Sequence, residues 1–239
     1  MKIRSGVLFV TVAMWLGSVM LAANPPQAAP ANGAQLDAVL TSMDKAAAKF
    51  KSIECTFEWD QYTKIVNETD VQNGTIYFRR LGSTSVEMAA HIEKPETKIV
   101  VFSDGVIRIY QPKQDVEQVY NAGKNKEEFE SFLVLGFGGR GHDLVDKFDV
   151  QYAGTDAAVA NAAKLVLTPK EAKVAKVFSQ IILWIDPSKG VSVQQKFIEP
   201  VSGDYRLAKY SDIKVDQKLP DGAFTIKTTK KTKILTPNG

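Results

Sequence analysis

From residue 53 the chain alternates. In 53-IECTFEWDQYTK-64, Ile53, Cys55, Phe57 and Trp59 fall on one side, and Glu54, Thr56, Glu58 and Asp60 on the other. Period two marks a strand with one apolar and one wet face. Ahead of it, 34-AQLDAVLTSMDKAAAKFKS-52 repeats at three- and four-residue steps: Leu36, Val39, Leu40, Met43, Ala47 and Phe50 make one apolar helical face. The strand rhythm then continues, with strands predicted near 71–80, 84–92, 98–103, 106–111, 115–120, 147–153, 162–168, 176–186, 191–199, 204–215 and 223–234. Asn73-Gly74, Asp104-Gly105, the run Asp186 to Gly190, and Ser202-Gly203-Asp204 supply turn chemistry between many of them. Strands joined by such short turns are antiparallel neighbours. The main interruption is 124-KNKEEFESFLVLGFGGRGHDLVDKF-148, where Phe129, Phe132, Leu133 and Leu135 sit at helical spacing and a second short helix is expected near Asp143 to Lys147. The pattern predicts a single α+β domain: a large curved antiparallel sheet of about a dozen strands, an N-terminal helix and a central helical insertion.

The first residues follow a different logic. Lys2 and Arg4 precede an apolar run from Val7 to Leu21, then small residues at Ala22 and Ala23. That reads as a secretory signal peptide over 1–23, too short in its apolar core for a membrane span. A Pro/Ala-rich spacer over 24–33 follows, and the domain occupies 34–239. No cysteine stands after the expected cleavage site, so an acylated anchor is not expected. Cys55 is the single cysteine, which excludes an intrachain disulfide; in its apolar strand pattern it reads as a small buried hydrophobe. Without Lys2 and Arg4, 28 basic residues stand against 27 acidic ones, which gives no global charge footprint for nucleic acid.

Gly136, Gly138 and Gly141 spell G-x-G-x-x-G within 135-LGFGGRGHD-143. A dinucleotide fingerprint needs a parallel strand before the glycines and a helix after them. Here a helical stretch precedes them within an antiparallel meander, so the run reads as a joint that ends one helix and turns the chain. His91 and His142 have no metal-ligand spacing; His91 reads as a surface residue and His142 as a cap for the next helix. No Ser/His/Asp order, nucleophile elbow or His-Glu-x-x-His is present, and the carboxylates scatter over wet strand faces. The lysines at 227, 230, 231 and 233 read as protection of an edge strand. Arg80, in 74-GTIYFRRLG-82, shares a strand face with Ile76 and Phe78. Two readings stay open for it. Either it sits at the margin of the apolar interior and takes acceptors from helix-end carbonyls, or the strand has ended and the side chain is in water.

Several segments in order resemble the LolA family, the periplasmic carriers of outer-membrane lipoproteins. They are the helix-to-strand start 36-LDAVLTSMDKAAAKFKSIECTFEW-59, then 74-GTIYFRR-80, 103-SDGVIRIYQP-112, 165-LVLTPKE-171, 183-LWIDPSKGV-191 and 219-LPDGAFTIK-227. The resemblance spans Leu36 to Leu235. It implies an incompletely closed antiparallel barrel of about 11–12 strands with helices covering the concave face, within the LolA/LolB/RseB-like fold. It implies a ligand-facing surface of Phe57, Trp59, Ile76, Phe78, Met88 and Ile92. It also implies a lid carrying Leu40, Met43, Phe129, Phe132 and Leu133, and a lid latch at Arg80, which takes the position of the arginine in the family's Lys/Arg-Arg-Pro segment. Leu81 stands where the family has proline. The expectation is a non-enzymatic, monomeric periplasmic carrier of lipoprotein acyl chains or a related lipid, with no cofactor and no metal. Its partners would be an inner-membrane extraction complex and an outer-membrane acceptor, with transient membrane-surface contact and no nucleic acid. An RseB-like sensory or regulatory module on the same scaffold, and a hydrolase using scattered carboxylates, are the rival expectations.

Overall fold

The computed structural model describes residues 31–82, 85–121, 123 and 135–237. Helix α1 covers Ala31–Lys49, and strands β1 to β6 cover Ser52–Thr63, Glu68–Leu81, Ser85–Lys94, Lys98–Ser103, Val106–Gln111 and Val116–Asn121. The one-turn helix α2, Leu144–Lys147, leads into β7 (Phe148–Asp156) and β8 (Ala162–Pro169). A second one-turn helix, α3 (Ala172–Ala175), precedes β9 (Gln180–Asp186), β10 (Val191–Ile198), β11 (Tyr205–Val215) and β12 (Lys233–Leu235). The expected signal peptide and most of the expected spacer, residues 1–30, lie outside the described residues.

All twelve strands form one curved sheet, in the order β12-β6-β5-β4-β3-β2-β1-β11-β10-β9-β8-β7. Every pairing is antiparallel except β12 with β6, which is parallel. The end strands β12 and β7 do not pair with each other, so the barrel stays incompletely closed. The long central strands carry the predicted alternation: Ile53, Cys55 and Phe57 point inward and are buried. On the other face Glu54 accepts from Lys214 Nζ at 2.7 Å, and Glu58 accepts from Lys209 Nζ at 2.7 Å.

Apolar side chains gather in two places on the concave side. In the first, α1 lays Val39, Leu40 and Met43 on Leu165, Leu183 and Ile185 of β8 and β9, all nearly free of solvent contact. In the second, Phe50, Ile53, Phe78 and Val86 close around Phe137.

Four expectations change. The strand predicted at 223–234 shrinks to Lys233–Leu235. The preceding segment instead lies across the outer face of the sheet, where Ala223 and Ile226 are buried and Ile226 packs with Ala89, Val101 and Tyr110. Asp115 then holds the tail, accepting from Thr229 Oγ1 and Thr232 Oγ1 at 2.6 and 2.5 Å. Consequently only the last of the tail lysines, Lys233, sits on an edge strand. His91 is not a free surface residue, because that same segment covers it: its Nε2 is 2.8 Å from the Ala223 carbonyl and its ring meets Tyr77 edge-on. Finally, β9 begins at Gln180 rather than near 176, because α3 and a turn bring Val174 and Phe178 down onto the α1 core.

Candidate functional site

A cavity of about 560 Å³ lies on the concave side of the sheet. Phe57, Trp59, Ile76, Phe78, Met88 and Ile92, the side chains expected to face a ligand, all line it. Register explains why they converge. Phe57 pairs across β1 and β2 with Gly74, Ile76 with Ala90 of β3, and Phe78 with Met88, so period two in three adjacent strands puts large apolar groups on the same wall. The opposite wall comes from β10 and β11, through Phe197, Ala208 and Tyr210. Asn73-Gly74 is not a turn between strands but an irregularity inside β2, where the β3 backbone comes so close that a Cβ on Gly74 would lie 2.0 Å from the His91 carbonyl oxygen.

The two ends of the cavity differ. One end, toward the start of β1 and the end of β2, is stoppered by Phe137, which stacks on Phe78 at 5.3 Å and meets Tyr210 edge-on at 4.7 Å. At the other end Trp59 keeps 38% of its surface exposed.

The stopper stands on the glycine run. Gly136 and Gly138 have φ of +80° and +79°, a region that glycine occupies without a Cβ penalty. Absence of a side chain matters as much as φ. A Cβ on Gly136 would lie 2.6 Å from Ser192 Cβ, one on Gly138 would lie 2.4 Å from the Phe50 ring, and one on Gly141 would lie 2.4 Å from the Leu40 carbonyl oxygen. The loop is therefore pressed onto α1 and β10; Leu135 packs into the core under α1, and Phe137 is the loop side chain that lines the cavity. Among the described residues the helix after these glycines is the single turn of α2, not the long helix of a βαβ unit, so the nucleotide fingerprint has no structural counterpart there.

Polar contacts pin the same loop. The Gln195 side-chain amide donates to the Leu135 carbonyl at 2.5 Å, while its oxygen accepts from the Tyr210 hydroxyl at 3.1 Å. The Ser192 backbone N–H donates to the Gly136 carbonyl at 2.8 Å. Arg80 completes the set: Nη2 donates to the Gly138 carbonyl at 2.7 Å, Nη1 reaches the Ala47 carbonyl in the last turn of α1 at 3.3 Å, and the guanidinium lies 5.6 Å from the centre of the Phe50 ring. Of the two readings left open by the sequence, Arg80 takes the one in which helix-end and loop carbonyls satisfy it. Strand β2 still runs through this position to Leu81.

Other expected site residues sit elsewhere. Leu40 and Met43 are 3% and 1% exposed in the closed core against β8 and β9, and they do not line the cavity. Phe129, Phe132 and Leu133 lie outside the described residues. His142 does not take the expected place as cap of α2, whose N-cap is Asp143 without a side-chain cap hydrogen bond; its ring turns to α1 instead. Its Nδ1 lies 2.5 Å from Asp44 Oδ2 and its Nε2 3.3 Å from Asp37 Oδ1, and its backbone N–H donates to Asp44 Oδ1 at 3.2 Å, so it clasps the joint to α1. Hydrogen bonding to Asp44 first, then Asp37, raises the His142 pKa above the usual imidazole value. Burial pushes the Cys55 thiol up to about 12, with Glu54 adding to it, which removes the thiolate a nucleophile would need. No group of three or more His, Cys, Asp or Glu side chains that could hold a metal occurs among the described residues. Among them, too, no helix is long and apolar enough to cross a membrane.

No family model matches the sequence, and no curated protein matches it. Solved structures do match. An uncharacterized conserved protein from Thermus thermophilus superposes with a TM-score of 0.53 at 12% identity, over 84% of this chain and 99% of that one. MucB superposes with a TM-score of 0.53 at 14% identity, over 84% of this chain and 66% of MucB. The fold is LolA-like. A LolA superfamily protein from Nitrosomonas europaea matches more loosely, with a TM-score of 0.39 at 13% identity over 80% of this chain and 97% of that one. Identities this low establish the fold and leave the activity to be argued from the site.

Proposed function

We propose that this chain is an exported, periplasmic carrier that takes the acyl chains of a lipoprotein, or of a related lipid, into the cavity between the curved sheet and its stoppered end. The observation that carries the reading is the cavity itself. Its wall is dominated by aromatic and branched or sulfur-containing side chains from neighbouring strands, and one end is open. Its volume is within the range of about 300–1,000 Å³ of sites that enclose small organic ligands.

Hydrocarbon gains about 0.8 kcal/mol for each CH₂ removed from water, so a dozen contribute roughly 10 kcal/mol. A carrier must also release. The Phe137 stopper gives a route, because it fills apolar space when the cavity is empty. A longer tail that displaces it loses the Phe78 and Tyr210 ring contacts as part of the exchange, which lowers net affinity and permits handover. Arg80 would act as the latch, holding the stopper loop and the end of α1 to the same strand.

The test is lipid extraction of the purified protein with mass spectrometry, together with titration of a fluorescent acyl probe. A bound acyl species and saturable uptake are expected. Protein that carries no lipid and does not take up the probe rules the carrier reading out. The second reading, a sensory binding module, has the MucB superposition in its favour. It predicts that a protein partner rather than free lipid is retained on affinity chromatography from the exported fraction.

A further inference from the structure

The open end of the cavity is not apolar. Lys98, at the start of β4, and Arg206, near the start of β11, both contribute to its lining, accompanied by Gln72 and Gln111. In the sheet β4 and β11 are separated by β3, β2 and β1, so the curve of the sheet presents the two cations from opposite walls. Both cations stand toward the same end of the sheet, Lys98 just after the β3–β4 turn and Arg206 just after the β10–β11 turn, though not in one row: Lys98 pairs with Ile92, whose row runs through Gly74 and Phe57 to Tyr210, and Arg206, four residues along β11 from Tyr210, pairs with Gln61 and Phe197. Among the described residues no aspartate or glutamate lines the cavity.

Neither charge is strongly neutralised. Among the described residues Lys98 has no carboxylate within 4.0 Å, and the carboxylate of Arg206 is Glu199, whose Oε1 is 3.6 Å from Nη2 in a half-exposed pair. A hydrocarbon tail entering past them removes water from both. An acceptor on the head of the ligand would offset the loss, because a desolvated cation without a partner is costly.

We propose that the cavity selects amphiphiles with an anionic head, a carboxylate or a phosphate monoester on a hydrocarbon tail, and that Lys98 and Arg206 receive the head while the tail runs toward Phe137. This rests on the carrier reading and narrows its ligand class. Arg206 offers planar guanidinium donors and Lys98 a mobile ammonium, which together suit an oxyanion of either geometry. The glutamines supply further donors without adding charge.

The experiment compares palmitate, hexadecyl phosphate and methyl palmitate on the full chain, each by displacement of a fluorescent acyl probe, with inorganic phosphate as a separate competitor. Both anions should bind about tenfold or more tightly than the methyl ester, the size of one charge-assisted contact. In Lys98→Gln/Arg206→Gln that ratio should fall toward one. In Lys98→Arg/Arg206→Lys it should persist, with thermal unfolding checked for each variant. Equal binding of palmitate and methyl palmitate by the wild type, or an undiminished ratio in the glutamine variant, overturns the head-group assignment and leaves the carrier reading standing. Displacement of the acyl probe by inorganic phosphate overturns it as well, because the site would then recognise a free anion. No uptake of any of the three amphiphiles overturns the carrier reading itself.

Discussion

The two halves of the sheet are built from the same alternation and end differently. Under β7 to β9 the apolar face is filled: α1 lies on it, and Leu165, Leu167, Ile181, Leu183 and Ile185 have no solvent exposure at all. Under β1 to β5 an equally apolar face is left with open space beside it, and Ile76, Met88 and Val100 remain partly exposed to it. Strand composition does not separate the two halves. The cover does. A helix presents a continuous stripe of side chains and excludes volume along its length, whereas the loop at 135–141 presents one ring, Phe137, and closes only one end.

Truncation on the two sides breaks the comparison most sharply. Leu183→Ala should destabilise the protein by about 2–5 kcal/mol, as buried leucine truncations do when the surroundings cannot collapse. Met88→Ala should lose about 1 kcal/mol, because its side chain already lacks contacts on the cavity side. Urea unfolding followed by circular dichroism measures both. Comparable losses would mean that the cavity is filled in solution. A saturating acyl ligand should widen the cavity-side effect, adding about 2.7 kcal/mol to the wild type at a hundred times Kd and less to Met88→Ala.

The loop gives the next largest effect. Gly138→Ala forces a Cβ into the Phe50 ring at φ +79°, and roughly 1–3 kcal/mol of stability should be lost. Since the same change loosens the stopper, probe uptake should accelerate. A stable Gly138→Ala with unchanged uptake would show that the loop does not limit entry.

These two regions were unequally legible in the sequence. Phe57, Trp59, Ile76, Phe78, Met88 and Ile92 could be read because alternation in consecutive short-turned strands fixes both face and neighbour. Phe137 was not read. An aromatic residue flanked by glycines has no periodic partners, and its inward direction comes from positive φ and from contacts with β10 that are more than fifty residues away. Leu40 and Met43 were read as one apolar helical face, correctly for α1, but periodicity does not say which half of a sheet a helix will cover. The segment after Leu219 was hidden for a related reason: it packs Ala223 and Ile226 on the outer face through turns, with no period of its own.

Arg80 bridges the two halves, since its guanidinium bonds both the end of α1 and the stopper loop. Arg80→Leu leaves the Gly138 carbonyl without its donor and should lose about 1–2 kcal/mol. The proposed latch adds a functional expectation: the variant still binds lipidated cargo but hands it to an acceptor membrane poorly. Transfer at the wild-type rate would refute the latch while leaving the packing role of Arg80 in place.

His142 should give the smallest effect, and pH isolates it. The imidazole faces Asp44 and Asp37 on α1, with Arg140 and Asp143 beside it on its own loop, that pair 3.8 Å apart. Its pKa is raised by the hydrogen bond to Asp44 and then by Asp37, so its contribution is fully present below the unfolded value of about 6.5 and is lost as pH rises through the higher folded value. For Asp44, burial acts upward but the hydrogen bonds and charge of His142 together outweigh it, and its pKa is lowered. That contribution is present above about 3.9 and is lost as pH falls through the folded value. Both hold between roughly pH 4 and 6.5, which is where the clasp between α1 and the joint should be tightest. The difference in melting temperature between wild type and His142→Gln should therefore be largest near pH 5.5 and shrink toward pH 9, because a neutral imidazole keeps one hydrogen bond to Asp44 but loses the charge. The solvent exposure of the pair keeps the amplitude small. A difference that stays constant from pH 5.5 to 9 would mean that His142 holds α1 by shape alone, and that the filled half of the sheet owes nothing to this charge.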